Sequence, residues 1–129
     1  MTVAGIIEQY NTERPNQVED GLKMGWLKKF ERMIFNIVVL THEDAPDEEE
    51  IEEHFSDFDM DTELFIKEPY DDVYIEYLDQ RVAYNNNDYK RYNVASQFYN
   101  NAMLNFQQYY NHTHRPLESK SYLLRHEVL

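Results

Sequence analysis

Four carboxylates in the middle of the chain have the spacing of calcium ligands. They occupy positions 1, 3, 5 and 12 of a loop of the EF-hand type, in which carboxylates at alternate residues converge on one ion: Asp57, Asp59, Asp61 and Glu68. Position 6, where such a loop needs glycine for a sharp turn, is Thr62, and no recognisable helix precedes the loop. The default interpretation is therefore a solvated acidic loop, with calcium binding as the alternative.

The chain offers few other groups for catalysis or metal binding. It has no cysteine, which excludes disulfides, thiolate zinc sites and cysteine nucleophiles. It has 3 glycines, too few to build a phosphate-binding loop. His112 and His114 lie near a predicted helix end and would point to different faces, so we interpret them as ordinary polar residues rather than a metal site. We expect no enzyme activity, no cofactor and no metal site.

The negative charge of the chain is concentrated in one segment. The formal net charge is −13, but the interval between Arg32 and Lys67 contains no Lys or Arg and holds 12 of the 25 acids. The remaining 13 acids and 12 bases nearly cancel. Binding to phosphate backbones or anionic lipids needs clustered Lys and Arg, so we expect no affinity for DNA or membranes. Without a membrane-spanning run or a signal-peptide pattern, the protein is expected in a cytosol.

Apolar residues at steps of three and four predict the first long helix from about 17 to 40. Asn16 and Glu19 have the spacing of a capping box, in which two side chains satisfy the free N–H groups at a helix start. The last apolar run, residues 33–40, would also suit a strand on β-propensity alone.

The second half of the chain predicts an antiparallel helical hairpin. Helical spacing extends from about 70 to 85 and again from 88 to 113. Pro69 stands where the first turn of a helix tolerates a missing N–H. Residues 85–87 are three asparagines, which tolerate the left-handed conformation of a turn, and Asp88 can cap the next helix.

These elements predict an all-α fold, a small helical bundle with three long helices. Residues 3–10 are a candidate short helix, and residues 43–63 form a long acidic connection in which 48–54 is a candidate helical turn. The chain is long enough for one domain with one core. We assign residues 1–116 to a single helical domain and residues 117–129 to a short C-terminal tail.

Several short motifs follow one another in a defined order: Pro15-Asn16, Lys23 with Trp26-Leu27, Asp61-Thr62-Glu63-Leu64, Pro69-Tyr70-Asp71-Asp72 with Tyr74 and Tyr77-Leu78, Tyr92-Asn93 with Phe98 and Asn100, and Tyr109-Tyr110 followed by His114-Arg115-Pro116. This order resembles the head-tail connector (adaptor, or head completion) proteins of long-tailed bacteriophages that infect Gram-positive bacteria. The resemblance covers residues 2–116. The chain departs from it in the acid-rich stretch 43–53 and in the tail, which has no counterpart.

The resemblance implies a structural virion protein that forms a ring beneath the portal protein, following its twelvefold symmetry. The ring would join the DNA-filled head to a head-closure (stopper) or tail protein, so the protein would lie in the neck of the virion after assembly in the host cytoplasm. DNA would pass nearby without specific binding, and no membrane is involved.

The resemblance also assigns expected roles to particular residues. The family-motif positions would serve in the core or in subunit interfaces: Trp26, Asp61, Thr62, Glu63, Leu64, Pro69, Tyr70, Asp71, Tyr74, Tyr77, Tyr92, Asn93 and Pro116. The apolar part of the tail is a candidate for docking on the portal: Leu117, Tyr122, Leu123, Leu124 and Arg125.

Two other functions are compatible with the same residues. An acidic inhibitor or DNA mimic would place closely spaced carboxylates in the basic groove of an enzyme, although such proteins spread charge over a folded face. A generic helical interaction module is the other alternative. The 11 tyrosines suit either the edge of a core or a surface that another chain covers, because each has an apolar ring and a polar tip.

Overall fold

The computed structural model describes residues 1–117. In that part of the chain five α-helices form: α1 (Val3–Glu13), α2 (Asp20–Ile37), α3 (Glu48–Ser56), α4 (Asp72–Asn85) and α5 (Tyr89–Thr113). A short 3-10 helix, Val39–Thr41, follows α2, and only isolated β-bridges occur between residues 1 and 117. The predicted all-α fold is confirmed. None of the helices in the described range is long and apolar enough to cross a bilayer.

The predicted start of the first long helix is wrong. α2 begins at Asp20, and Glu19 precedes it without a side-chain capping bond. Asn16 instead folds the preceding loop, since its side-chain oxygen accepts a hydrogen bond from the Val18 N–H at 3.0 Å. An Asx side chain can satisfy the backbone two residues on as readily as it caps a helix. The alternative of a strand over 33–40 is also wrong, because α2 continues to Ile37.

The helical hairpin is formed by α4 and α5. Tyr84 packs on Tyr92 near the turn, and Tyr70 stacks on Tyr109 at the other end, so the two helices run antiparallel. Asp88 caps α5 by accepting a hydrogen bond from the backbone of the helix's first turn. The expectation for Pro69 is wrong, because α4 begins three residues after it, at Asp72.

The turn of the hairpin is as predicted. Asn87 has a φ of 56°, in the left-handed region that asparagine tolerates better than most residues. The Asn87 N–H donates to the Tyr84 carbonyl at 3.1 Å, and the Asp88 N–H donates to the Ala83 carbonyl at 2.9 Å. These bonds satisfy carbonyls at the end of α4 that have no partner within the helix.

The acidic connection contains a helix rather than a single turn. The Asp47 side chain caps α3 by accepting from the Glu50 N–H at 2.8 Å. Ile51 and Phe55, four residues apart, are buried on one side of α3, which fixes it to the body. The expectation that no helix precedes Asp57 is therefore wrong, since α3 ends at Ser56.

One apolar core connects all five helices. Phe30 of α2 lies at its centre, stacked on Tyr77 at 4.4 Å between ring centroids and in edge contact with Tyr74 at 5.7 Å. Tyr99 of α5 approaches the same ring at 5.9 Å. The same core contains further fully buried apolar and aromatic side chains: Val3, Ile6, Tyr10, Leu27, Ile34, Leu64, Ile66 and Leu78.

Candidate interaction surfaces

Three of the family-motif positions lie in the core. Leu64 and Tyr74 are fully buried, and Trp26 is nearly so. The Arg81 guanidinium lies 5.0 Å from the centroid of the Trp26 ring, a cation–π distance. These residues stabilise the fold.

A second group of motif positions joins the end of the acidic connection to α1. The Val3 N–H donates to the Thr62 carbonyl at 3.0 Å, and Thr2 and Glu63 form an antiparallel bridge. The Asp61 N–H donates to the Asp59 carboxylate at 2.8 Å within the exposed turn. This segment therefore fixes the position of α1 against the rest of the protein.

The remaining motif positions lie around α4 and the two ends of α5. Tyr70 and Tyr77 are half-buried in aromatic stacks, and the Asp71 carbonyl accepts from the Tyr74 N–H in the first turn of α4. Tyr92 is half-buried, whereas three positions are exposed: Pro69, Asn93 and Pro116. The structure thus distributes the motif positions over the molecule and does not bring them together at one site.

The predicted docking tail lies mostly outside the described residues. Leu117 is about half-exposed, and its N–H donates to the Thr41 carbonyl at 2.9 Å. Tyr122, Leu123, Leu124 and Arg125 follow the described range.

A buried carboxylate that the sequence analysis did not single out connects three elements. Glu31 of α2 is wholly buried and accepts hydrogen bonds from the Tyr74 hydroxyl at 2.6 Å and the Phe65 N–H at 2.8 Å. His54 Nε2 of α3 lies 2.9 Å from the same carboxylate. Burial, followed by the charge of Glu31, raises the pKa of Tyr74 far above its usual value. The carboxylate therefore fixes α3 and the segment after it to the body.

A second buried carboxylate, Asp79 of α4, connects α1, α4 and α5. It lies 2.6 Å from an Arg14 guanidinium nitrogen and also contacts the Arg91 guanidinium. The Tyr10 hydroxyl donates to it at 3.1 Å, and burial together with this charge raises the pKa of Tyr10. Because two cations and a hydroxyl satisfy the carboxylate, we interpret the cluster as structural.

The carboxylates with calcium-ligand spacing do not converge. Asp57 follows the last residue of α3, and the Asp59 side chain accepts from the backbone of its own turn. Across residues 1–117 no three His, Asp or Glu side chains are arranged so that they could hold one metal ion. His114 instead stacks on Tyr110, with 4.1 Å between ring centroids.

α5 carries an uncharged outward face. No charged residue occurs between 92 and 111, and only three residues of this helix are buried. We define the outward face by the exposed side chains in that range: Asn93, Val94, Gln97, Phe98, Asn100, Asn101, Leu104, Asn105, Gln108, Tyr109 and Asn111. Phe98 and Leu104 are 53% and 52% exposed. Solvent-facing helix surfaces are charged or polar, whereas the cores of protein interfaces are depleted in charge. The outward face combines polar amides with four exposed apolar side chains and has the low charge of an interface core.

A groove of about 500 Å³ lies between α3 and the C-terminal end of α5. Its wall is mainly apolar and aromatic: Phe35, Ile51, Leu64, Phe65, Ile66, Tyr70, Phe106, Tyr109 and Tyr110. Polar side chains stand among them, including Glu50, His54 and Glu68. Six of the nine apolar and aromatic side chains are themselves buried, so the groove exposes little apolar surface.

Comparison of the chain with protein-family models, with curated proteins and with solved structures returned no match. The surfaces described above are therefore interpreted from their own chemistry. They comprise the outward face of α5, the exposed carboxylates around α3 and the groove between α3 and α5.

Proposed function

We propose that the protein is a head-tail connector subunit of a long-tailed bacteriophage. In this function copies of the chain form a ring beneath the portal protein and receive a head-closure or tail protein. The observation that carries the proposal is the outward face of α5, which exposes apolar side chains without a single charge over residues 92–111.

The length and composition of this face support a role in assembly. A helix of 25 residues is about 38 Å long, comparable to the diameter of a small domain. Apart from Val94, Phe98, Leu104 and Tyr109, the face consists mainly of amides, which hydrogen-bond across an interface without the desolvation cost of charge. A ring of identical subunits needs two different complementary surfaces on each chain, and the outward face is one candidate.

The acidic segment has a separate role in the proposal. Among residues 43–63 the carboxylates of α3 lie on its exposed side, apart from the buried Ile51 and Phe55. In a ring that surrounds passing DNA, such carboxylates would repel phosphates and prevent the duplex from sticking. Replacing them with Lys should then slow DNA exit.

The test uses phage heads that contain the portal but lack this protein. We expect purified wild-type chain to bind these heads and restore attachment of the tail. A double variant, Phe98→Glu with Leu104→Glu, should fold normally and fail to restore attachment, because both changes place charge on the outward face. The matched control is Leu22→Glu on α2, a leucine that is 45% exposed. Full activity of the double variant would refute the role of this face.

An acidic inhibitor is a second candidate function, because some of the exposed carboxylates lie on a folded helix, α3. Glu48, Glu49 and Glu52 are exposed on this helix. Replacing all three with Gln distinguishes the two functions. Binding to an enzyme with a basic groove should be lost if the protein is an inhibitor, whereas attachment to heads should persist if it is a connector.

A further inference from the structure

Arg81 of α4 is a half-buried cation without an acidic partner. Its guanidinium lies 5.0 Å from the centroid of the Trp26 ring. Within the described residues its buried Nε has no hydrogen bond and its guanidinium forms no ion pair. By contrast, Arg14 and Arg91 both bind the Asp79 carboxylate of the same helix. A guanidinium already ordered on an aromatic ring loses little freedom when it binds a carboxylate, and Arg is enriched at the energetic centres of interfaces.

The neighbouring surface of α2 adds a second cation. Lys29 follows Trp26 by three positions, which places both on one side of α2. It is exposed and, in the described part of the chain, also lacks an ion pair. The single acid of residues 21–42 is the buried Glu31, so no exposed carboxylate of that stretch neutralises this surface. We call Lys29 and Arg81 the cationic patch.

α3 carries the complementary arrangement, two carboxylates without a cation. Glu49 and Glu53 are exposed and four positions apart on this helix, and we call them the acidic pair. Like charges at this spacing repel each other and destabilise a helix. Their neighbour Glu52 is paired with Arg32 at 3.1 Å, whereas neither member of the acidic pair has a cationic partner among residues 1–117. Two cations placed against the acidic pair would remove its repulsion.

The cationic patch and the acidic pair lie on opposite sides of α2. Trp26 faces α4 through its contact with Arg81, and Phe35 faces α3 through an edge contact with Phe55 at 5.6 Å between ring centroids. Nine positions separate Trp26 from Phe35, which is two and a half helical turns, so the two side chains point in opposite directions. The acidic pair therefore cannot reach the cationic patch of its own chain, but it can reach that of a second copy.

We propose that the acidic pair of one copy binds the cationic patch of the next copy. The contact is heterologous because it joins two different surfaces, and its repetition produces a ring or an open chain of subunits. It rests on the proposed function, in which copies lie side by side, and it names two surfaces that join them. A copy can bind the portal without this contact, so removing charge from α3 is still expected to leave attachment to heads intact.

The contact should be weak between chains that are free in solution. Exposed ion pairs contribute little individually, and the chain as a whole is strongly negative. On a portal the copies are held at high effective concentration, which strengthens a weak contact between neighbours without any additional interaction. A test in solution therefore needs concentrated protein, low salt and a probe at the contact itself.

Trp26 provides this probe, because it is the single tryptophan of the chain and lies against Arg81. An isotope-labelled chain with Glu49→Gln and Glu53→Gln retains only the cationic patch. An unlabelled chain with Lys29→Gln and Arg81→Gln retains only the acidic pair, so one kind of contact is possible between them. We expect the Trp26 indole N–H signal in the NMR spectrum to shift progressively as the unlabelled chain is added. An unchanged signal would overturn the proposal.

A matched control removes the same charge from another helix. Adding Glu8→Gln and Glu13→Gln, two exposed positions of α1, to the unlabelled chain should leave the shift intact. Adding Glu49→Gln and Glu53→Gln to it should abolish the shift. Equal effects of the two changes would overturn the proposal, because net charge rather than the acidic pair would then determine binding. Circular dichroism checks that every variant is folded.

The solution experiment uses no phage heads, so its result is separate from the test of the proposed function. Loss of the shift in a chain that attaches normally to heads would overturn only the contact between copies. A normal shift in a chain that does not attach to heads would count against the connector function and leave the contact standing.

Discussion

The outward face of α5 and the acidic segment 43–63 are both exposed, but their chemistry is opposite. The first has no charge over residues 92–111, whereas the second has 12 acids and no Lys or Arg. A charged surface is favourable in water and repels the like-charged surfaces of other copies, while an uncharged surface of amides with exposed apolar side chains does not repel them. The comparison indicates that the two regions favour different surroundings, with water favoured most strongly by the acidic segment.

The two regions also differ in how they are attached to the body. α5 is held along its length by α4 and by buried residues that include Phe106 and Tyr110. The acidic segment is held by three buried side chains, Ile51, Phe55 and Phe58, and by the hydrogen bond between His54 and Glu31, the buried carboxylate of α2. Its C-terminal end is also held by backbone bonds from α1 to the Met60 and Thr62 carbonyls. We therefore expect α5 to unfold only with the whole protein and the acidic segment to open more readily.

The largest change in the free energy of unfolding is expected when a buried ring of α5 is removed, and a much smaller change when an exposed ring is removed. Phe106→Ala removes a buried ring and should lower the free energy of unfolding by about 3–5 kcal/mol. Phe98→Ala removes an exposed ring and should change it by less than about 0.5 kcal/mol. Urea denaturation followed by circular dichroism measures both. A large loss of stability with Phe98→Ala would mean that the outward face stabilises the monomer, and would contradict the distinction between the two sides of α5.

An intermediate loss of stability is expected when the hydrogen bonds between Glu31 and the acidic segment are weakened. Glu31→Gln keeps the shape of the side chain but leaves the donors from His54, Phe65 and Tyr74 incompletely satisfied, so we expect a loss of about 2 kcal/mol. Amide hydrogen exchange at Phe65 should accelerate in the same variant. The control is Glu52→Gln, which removes only an exposed pair with Arg32 and should cost less than about 0.5 kcal/mol. Equal losses in the two variants would show that Glu31 does not anchor the segment.

The smallest effect should come from the two helix caps. Asp88→Ala removes the side-chain cap of α5 and should lower the free energy of global unfolding by about 1 kcal/mol. Asp47→Ala removes the equivalent cap of α3, where we expect faster hydrogen exchange at Glu50 and Ile51 with little change in global stability. If both variants lower global stability equally, the acidic segment is as firmly attached as α5.

Much of the helical architecture could be predicted because its signals are local. The spacing of apolar residues identifies α4 and α5, and the asparagines before Asp88 specify the turn between them. The length of α3 is greater than the predicted helical turn. Acids dominate its composition and obscure the helical spacing of Ile51 and Phe55. The predicted start of α2 is wrong because the Asn16 side chain can either cap a helix or accept a hydrogen bond within a loop. The structure contains the second arrangement, with the Val18 N–H as the donor.

The contacts of the buried carboxylates Glu31 and Asp79 could not be predicted, because most of their partners are distant in sequence. Glu31 and Tyr74 are 43 positions apart, and Tyr10 and Asp79 are 69 apart. No local pattern marks such a carboxylate as buried, since glutamate and aspartate are normally exposed. The sequence shows a long run without charge at residues 92–111. Which of these residues are exposed depends on how α2 and α4 pack against α5, and the sequence alone does not give that packing.

The short turn between α4 and α5 has a kinetic consequence. Only three residues separate the two helices, so their contacts need little loop closure, whereas α1 meets α4 across more than 60 positions. Contacts between near neighbours generally form first during folding. We expect the helical hairpin to serve as the nucleus on which α1 and α2 subsequently condense, so that the transition state is structured around residue 87 while the N-terminal helices are still disordered.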